Sequence, residues 1–165
     1  MAKLLILNPN TDIFGRQSIP TALISGLLKK NNHFVELFDT TFMDLNYFIP
    51  ELIDDLTQKY NQFKYFKEAD YSINRFHKKS VDVVKLFNDK IYSYKPDFIA
   101  FSFWGSHLHA EGEYLAYHKS LKIIEASDIG DIPIIVGGTV PTSNPELVLA
   151  HPKIKYVVRG EGELV

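Results

Sequence analysis

Four short stretches of this 165-residue chain concentrate the groups that could hold a ligand: Asn8-Pro9-Asn10-Thr11, Ser102-Phe103-Trp104-Gly105-Ser106, Gly137-Gly138-Thr139 and Arg159-Gly160-Glu161-Gly162-Glu163. Their chemistry is that of a cradle. The amides and hydroxyls of Asn8, Asn10, Thr11, Ser102 and Thr139 can hydrogen-bond a bound molecule. Gly105, Gly137, Gly138, Gly160 and Gly162 let a flat, bulky ligand approach the backbone closely. Glycine and serine also serve plain turn chemistry, so one such stretch means little and four on a common rim mean more. Trp104, the only tryptophan, suits stacking on a flat ligand or anchoring a strand end. His107 and His109 stand two residues apart and face away from each other if helical, with no third ligand candidate nearby. They read as solvated loop histidines, and neither a metal ligand nor a catalytic residue is assigned to this chain.

The elements that must position these stretches follow from apolar patterning. Residues 4–7 form a continuous apolar run closed by Asn8-Pro9-Asn10, the mark of a strand covered on both faces of a parallel sheet. Residues 19–30 carry Ile19, Leu23, Leu27 and Leu28 near helical spacing, with Ser18 as a cap and Pro20 in the first turn. A second strand over 34–38 closes on Asp39, and strand-helix-strand order implies a right-handed parallel crossover. From about residue 41 to 95 no strand pattern appears, and aromatics alternate with charges. This reads as a helical insertion, with 46–79 packed as a cap at the sheet edge or rim and 81–94 as a crossover helix. A third strand over 98–103, a helix over about 110–126, a fourth strand over 132–136, a short helix near 145–150 and a fifth strand over 156–158 complete the pattern. The expected architecture is an α/β, doubly wound, five-stranded parallel sheet, Rossmann- or flavodoxin-like, in the order 2-1-3-4-5. In such sheets ligands bind beyond the carboxyl ends of the strands, where the four stretches fall.

Composition narrows the function classes. With 45% hydrophobic residues the chain can bury a core of its own, and its length fits a single domain over 1–165. Its 18 Lys+Arg against 20 Asp+Glu, without a block of like charge, leave no footprint for nucleic acid or an anionic membrane. Having no cysteine, it can hold neither a disulfide nor a thiolate-bound iron–sulfur cluster. The first apolar run is too short for a membrane span or a signal peptide, so a cytoplasmic protein is expected. The ending at Leu164-Val165, without a polar tail, is expected of a larger protein cut at a domain edge.

The stretch Val136-Gly137-Gly138-Thr139-Val140-Pro141-Thr142, then Pro145-Glu146, then Tyr156-Val157-Val158-Arg159-Gly160-Glu161-Gly162-Glu163 resembles the cobalamin (B12)-binding domain that precedes the radical SAM barrel in B12-dependent radical SAM proteins. The Gly-Glu-Gly-Glu ending is its most specific part. The segment from Leu5 to Asp39 resembles the same family, so the likeness spans nearly the whole chain and is weakest over 46–79. The resemblance implies a corrinoid laid over the strand ends, its lower face toward residues 10–15 and its nucleotide tail between the third and fourth strand ends. Asn8, Pro9, Asn10, Thr11, Ser102, Phe103, Trp104, Gly105, Gly137, Gly138, Thr139, Gly160, Glu161, Gly162 and Glu163 are the implied cofactor-binding residues. Ser102 would hydrogen-bond the tail and Gly137-Gly138 would make room for it, while Glu161 and Glu163 would serve binding or domain docking rather than acid–base work.

Related cobalamin proteins carry Asp-x-His-x-x-Gly in the first loop, and laid on Gly15 the histidine position is Asp12 here. The resemblance therefore implies no imidazole from that loop on cobalt, a lower face left to water or empty behind Trp104, and His107 as the one residue to test there. It also implies a downstream radical SAM domain as partner, which would hold the 4Fe-4S cluster and S-adenosylmethionine, and no catalysis from this domain alone. Two other readings of the same topology stay open. A flavodoxin- or receiver-like module would want a phosphate loop or an acidic cluster after the first strand, where the chain has Asn8 and Thr11. A non-catalytic interaction domain would leave the loops vacant.

Overall fold

The computed structural model describes residues 1–9, 19–43, 80–103 and 115–162. Five strands and five helices alternate within them: β1 (Lys3–Asn8), α1 (Ile19–Lys30), β2 (Phe34–Asp39), α2 (Val83–Tyr94), β3 (Phe98–Phe103), α3 (Leu115–Ala126), β4 (Ile134–Gly138), α4 (Thr139–Ser143), α5 (Pro145–Leu149) and β5 (Ile154–Val157). All strand pairs are parallel and the order is β2-β1-β3-β4-β5, as the patterning implies. The cap expected over 46–79 lies outside the described residues.

Local signals explain where the elements stop. Helix α1 ends in Lys29 and Lys30, cations that suit the negative end of the helix dipole. Asn32 then takes the left-handed conformation that closes the helix, with His33 N–H donating to the Leu28 carbonyl at 2.9 Å. Helix α2 begins at Asp82, whose carboxylate accepts from Lys85 N–H at 2.9 Å. It closes on left-handed Lys95, immediately before Pro96, which cannot continue a helix. Among the described residues no helix is long and apolar enough to cross a membrane.

The core lies mainly on one face of the sheet. Leu5, Leu7, Ile99, Phe101, Ile134 and Val136 share that face by register and are essentially inaccessible. Helices α2 and α3 cover them with Val83, Phe87, Ile91, Ile123 and Ile124. Phe87 is fully buried, its ring 5.0 Å from that of Phe38 and tilted by 57°. Right-handed crossovers from a central β1, first to β2 and then past β1 to β3, place α1 on the opposite face. That face carries Ile6, which is buried, and Leu4, Ala100 and Ile135, which stay half-buried.

At the amino ends of the strands α2 is pinned to β1 and β2. Lys90 pairs with Glu36, and the ammonium groups of Lys3 and Lys90 lie 5.6 Å and 6.0 Å from the Tyr94 ring centre. Burial, with Glu36 and Asp97 close by, pushes the Tyr94 phenol above its ordinary pKa.

In the last two strands the boundaries differ from those the sequence suggests. Strand β4 starts at Ile134 rather than 132, because Pro133 has no N–H to give; its carbonyl still accepts from Ile99. It continues through Gly137 and Gly138, expected as a loop, since a parallel ladder asks only for backbone groups and both glycines pair with β3. Strand β5 starts at Ile154, buried in the core although Lys153 and Lys155 flank it in sequence.

Candidate functional site

The carboxyl ends of the strands gather the predicted residues that the structure describes. The register carries one row across four strands on the α1 side of the sheet. Asp39 pairs with Asn8, Leu7 pairs with Phe101 so that Asn8 stands beside Ser102, and Ser102 pairs with Gly137. Three strand spacings make this row roughly 14 Å long. Pro9 follows it in the chain, and Phe103 and Gly138 pair one step further along.

Among the described residues, the Ser102–Gly137 end of the row is only lightly covered. Gly137 has no side chain, and a Cβ placed there would meet nothing nearer than the Val158 Cβ at 3.8 Å. Beside it Ser102 is half-buried, and its hydroxyl has no partner among the described residues. A hydroxyl next to a bare strip of backbone can serve a ligand's polar group while the strip receives its flat or bulky part.

The two sides of the opening are braced. Gly138 has φ of 110°, a conformation side chains rarely adopt, and this bend turns β4 directly into α4. Thr142 in α4 donates its hydroxyl to the Gly138 carbonyl at 2.7 Å and accepts from Gly160 N–H at 2.9 Å, tying the end of β4 to the segment after β5. Val158 N–H donates to the Val136 carbonyl at 2.8 Å, extending that contact. The segment then reaches α1, where a Cβ on Gly162 would stand 3.3 Å from Ile24 Cδ1, a separation that favours glycine. Glu161 is exposed next to it, and Thr139 opens α4.

On the far side Thr40 donates both its N–H (3.2 Å) and its hydroxyl (3.3 Å) to the Asn8 carbonyl. Asp39 Oδ1 receives Asn8 Nδ2 at 3.3 Å, Thr41 N–H at 3.0 Å and the Thr41 hydroxyl at 2.6 Å. Thr40 and Thr41 are buried, so this corner is part of the fold rather than loose surface. In the sequence Asp39 stands out only as the last residue of its strand. An acidic residue followed by two threonines was a visible signal, but its place beside Asn8 emerges only with the register.

Asn10, Thr11, Asp12, Trp104, Gly105, His107, His109 and Glu163 lie outside the described residues, as does the start of the helix expected over 110–126. Among the described residues no group of three His, Cys, Asp or Glu is placed to hold a metal ion.

Comparison with known proteins bears on the family and the fold. A family model for the B12 binding domain matches residues 64–165. No curated protein sequence matches the chain. Among solved structures, the radical S-adenosylmethionine methyltransferase TsrM from Kitasatospora setae, with cobalamin and a 4Fe-4S cluster bound, superposes with a TM-score of 0.55 at 17% identity. The match covers 99% of this chain and 24% of that one. The same enzyme with tryptophan substrate and the SAM analog aza-SAM superposes with a TM-score of 0.56 at 14% identity, over the same shares of the two chains. The likeness to these structures is one of fold, and this chain spans about a quarter of their length.

Proposed function

Because this chain belongs to the B12-binding domain family, we propose that its strand-end rim seats cobalamin as the corrinoid half of a radical SAM enzyme, methyltransferase-type or related. Cobalamin is the cofactor of this domain, and the opening between Ser102 and Gly137 is the observation that carries its placement. The residues there fit such a group: a hydroxyl left over for a polar tail, a strip of strand without side chains, and a braced bend at Gly138 that holds the strip in place.

In this reading Ser102 orients the tail by hydrogen bonding, and Gly137 and Gly138 give it room. Asn8 and Pro9, with Asn10 and Thr11, meet the ring from below. Thr139, Gly160, Glu161 and Gly162 close the far side, and Glu163 leads toward the partner domain. Trp104 is the residue that would keep water from the metal, with Phe103 and Gly105 flanking it in the chain. When bound, the corrinoid supplies a cobalt-carried group for transfer. With Asp12 where related proteins have histidine, this chain contributes burial and shape around the metal rather than an imidazole from the first loop.

The radical SAM partner rests on the family likeness of the Gly-Glu-Gly-Glu segment and on the fold shared with TsrM. The cluster belongs to that partner, since this chain has no cysteine to hold it.

The test is to mix the purified chain with hydroxocobalamin and, separately, with FMN, then follow co-elution and absorbance. The expected result is retention of the corrinoid with a changed spectrum and no retention of FMN. Retention of FMN alone would favour a flavodoxin-like module, and retention of neither would favour an interaction domain. Either result would overturn the reading.

A further inference from the structure

The β2 end of the rim has a chemistry distinct from the Ser102 end. Asp39 is exposed, yet its Oδ1 is filled by three donors from Asn8 and Thr41. Its Oδ2 has no partner among the described residues. This oxygen can only accept, and the two bonds from buried Thr41 leave the carboxylate little freedom to turn away. Asp39 also stands in the same row as Ser102 and Gly137, roughly 14 Å from the latter. A ring laid across that row would bring its peripheral side chains to Asp39.

On the reading of the rim as a corrinoid site, we propose that Asp39 accepts a hydrogen bond from a primary carboxamide on the ring periphery and thereby selects amidated corrinoids over those with free carboxylic acids. A carboxamide N–H donates to Oδ2, whereas an ionised carboxyl group offers no proton and meets a like charge. Asn8 is the positioning residue. Its side-chain N–H and its backbone carbonyl, held by Thr40, keep the end of β1 in register with Asp39.

The experiment is an absorbance titration of the chain with two corrinoids that both lack the nucleotide tail, aquacyanocobinamide with its amides and aquacyanocobyrinic acid with its acids. The wild-type chain binds the amidated ring about tenfold more tightly or better, the scale of one hydrogen bond to a charged group. In Asp39→Asn the preference collapses toward unity, because an amide side chain can serve either ring. In Thr41→Val, which removes a donor to Oδ1 and leaves Oδ2 alone, the preference persists. A wild-type ratio near unity overturns the inference without reference to any variant, and so does an undiminished ratio in Asp39→Asn. If hydroxocobalamin binds while the two rings are not distinguished, only the role of Asp39 fails. If no corrinoid binds at all, the reading of the rim fails with it.

Discussion

Replacing Gly137 with leucine is expected to lower the affinity for hydroxocobalamin by about 100-fold while leaving the fold in place. Because a Cβ at this position meets only the Val158 Cβ at 3.8 Å, ordinary contact distance, the first added carbon costs the empty domain little. The branched remainder must occupy the opening beside Ser102 that the proposed ligand needs. Forcing extra methylenes into a filled site costs roughly 1–3 kcal/mol, and each 1.4 kcal/mol is tenfold in a dissociation constant. Gly137→Ala should fall between wild type and Gly137→Leu in affinity, with thermal unfolding of all three within a few degrees. Wild-type affinity in Gly137→Leu would mean that the ligand does not enter between β3 and β4.

The largest effect on stability is expected from Phe87→Ala, at about 3–5 kcal/mol. Phe87 is fully buried, packs on Phe38 and joins α2 to the sheet face lined by Leu5, Leu7, Ile99 and Phe101. Truncation removes the transfer energy of a benzyl group and leaves a cavity that neighbours in regular elements can close only in part. Against a net stability of about 5–15 kcal/mol for a domain, this is a large fraction. Urea unfolding followed by far-ultraviolet circular dichroism measures it. A loss below about 1 kcal/mol would show that α2 is not fixed to the sheet as described.

Much of this fold was legible because parallel strands covered on both faces read as unbroken apolar runs, as residues 4–7 and 98–101 do. The order β2-β1-β3-β4-β5 followed from handedness once the alternation of strands and helices was recognised. Less legible were features that exist only through pairing. Gly137 and Gly138 read as loop because glycine is a poor strand former, yet β3 supplies the partners that make them strand. Ile154 was hidden by its two lysines, and α4 by the proline and glycines around it.

The site shows the same division. Ser102 and the two glycines stood out by type and were placed at one rim by fold rules alone. The Asp39, Thr40 and Thr41 corner was missed because its residues are ordinary at a strand end. What gives them meaning is the alignment of β2 with β1, which no local pattern encodes.

The proposed seat of the corrinoid is the carboxyl rim of the sheet. Amide hydrogen exchange of the chain, with and without saturating hydroxocobalamin, tests it most directly. Binding should slow exchange in the peptides that span residues 8–9, 102–103, 136–142 and 158–162, and leave the amino ends of the strands at Lys3, Phe34, Phe98, Ile134 and Ile154 unchanged. Slowed exchange confined to those amino ends, or to the α2 and α3 face, would contradict it.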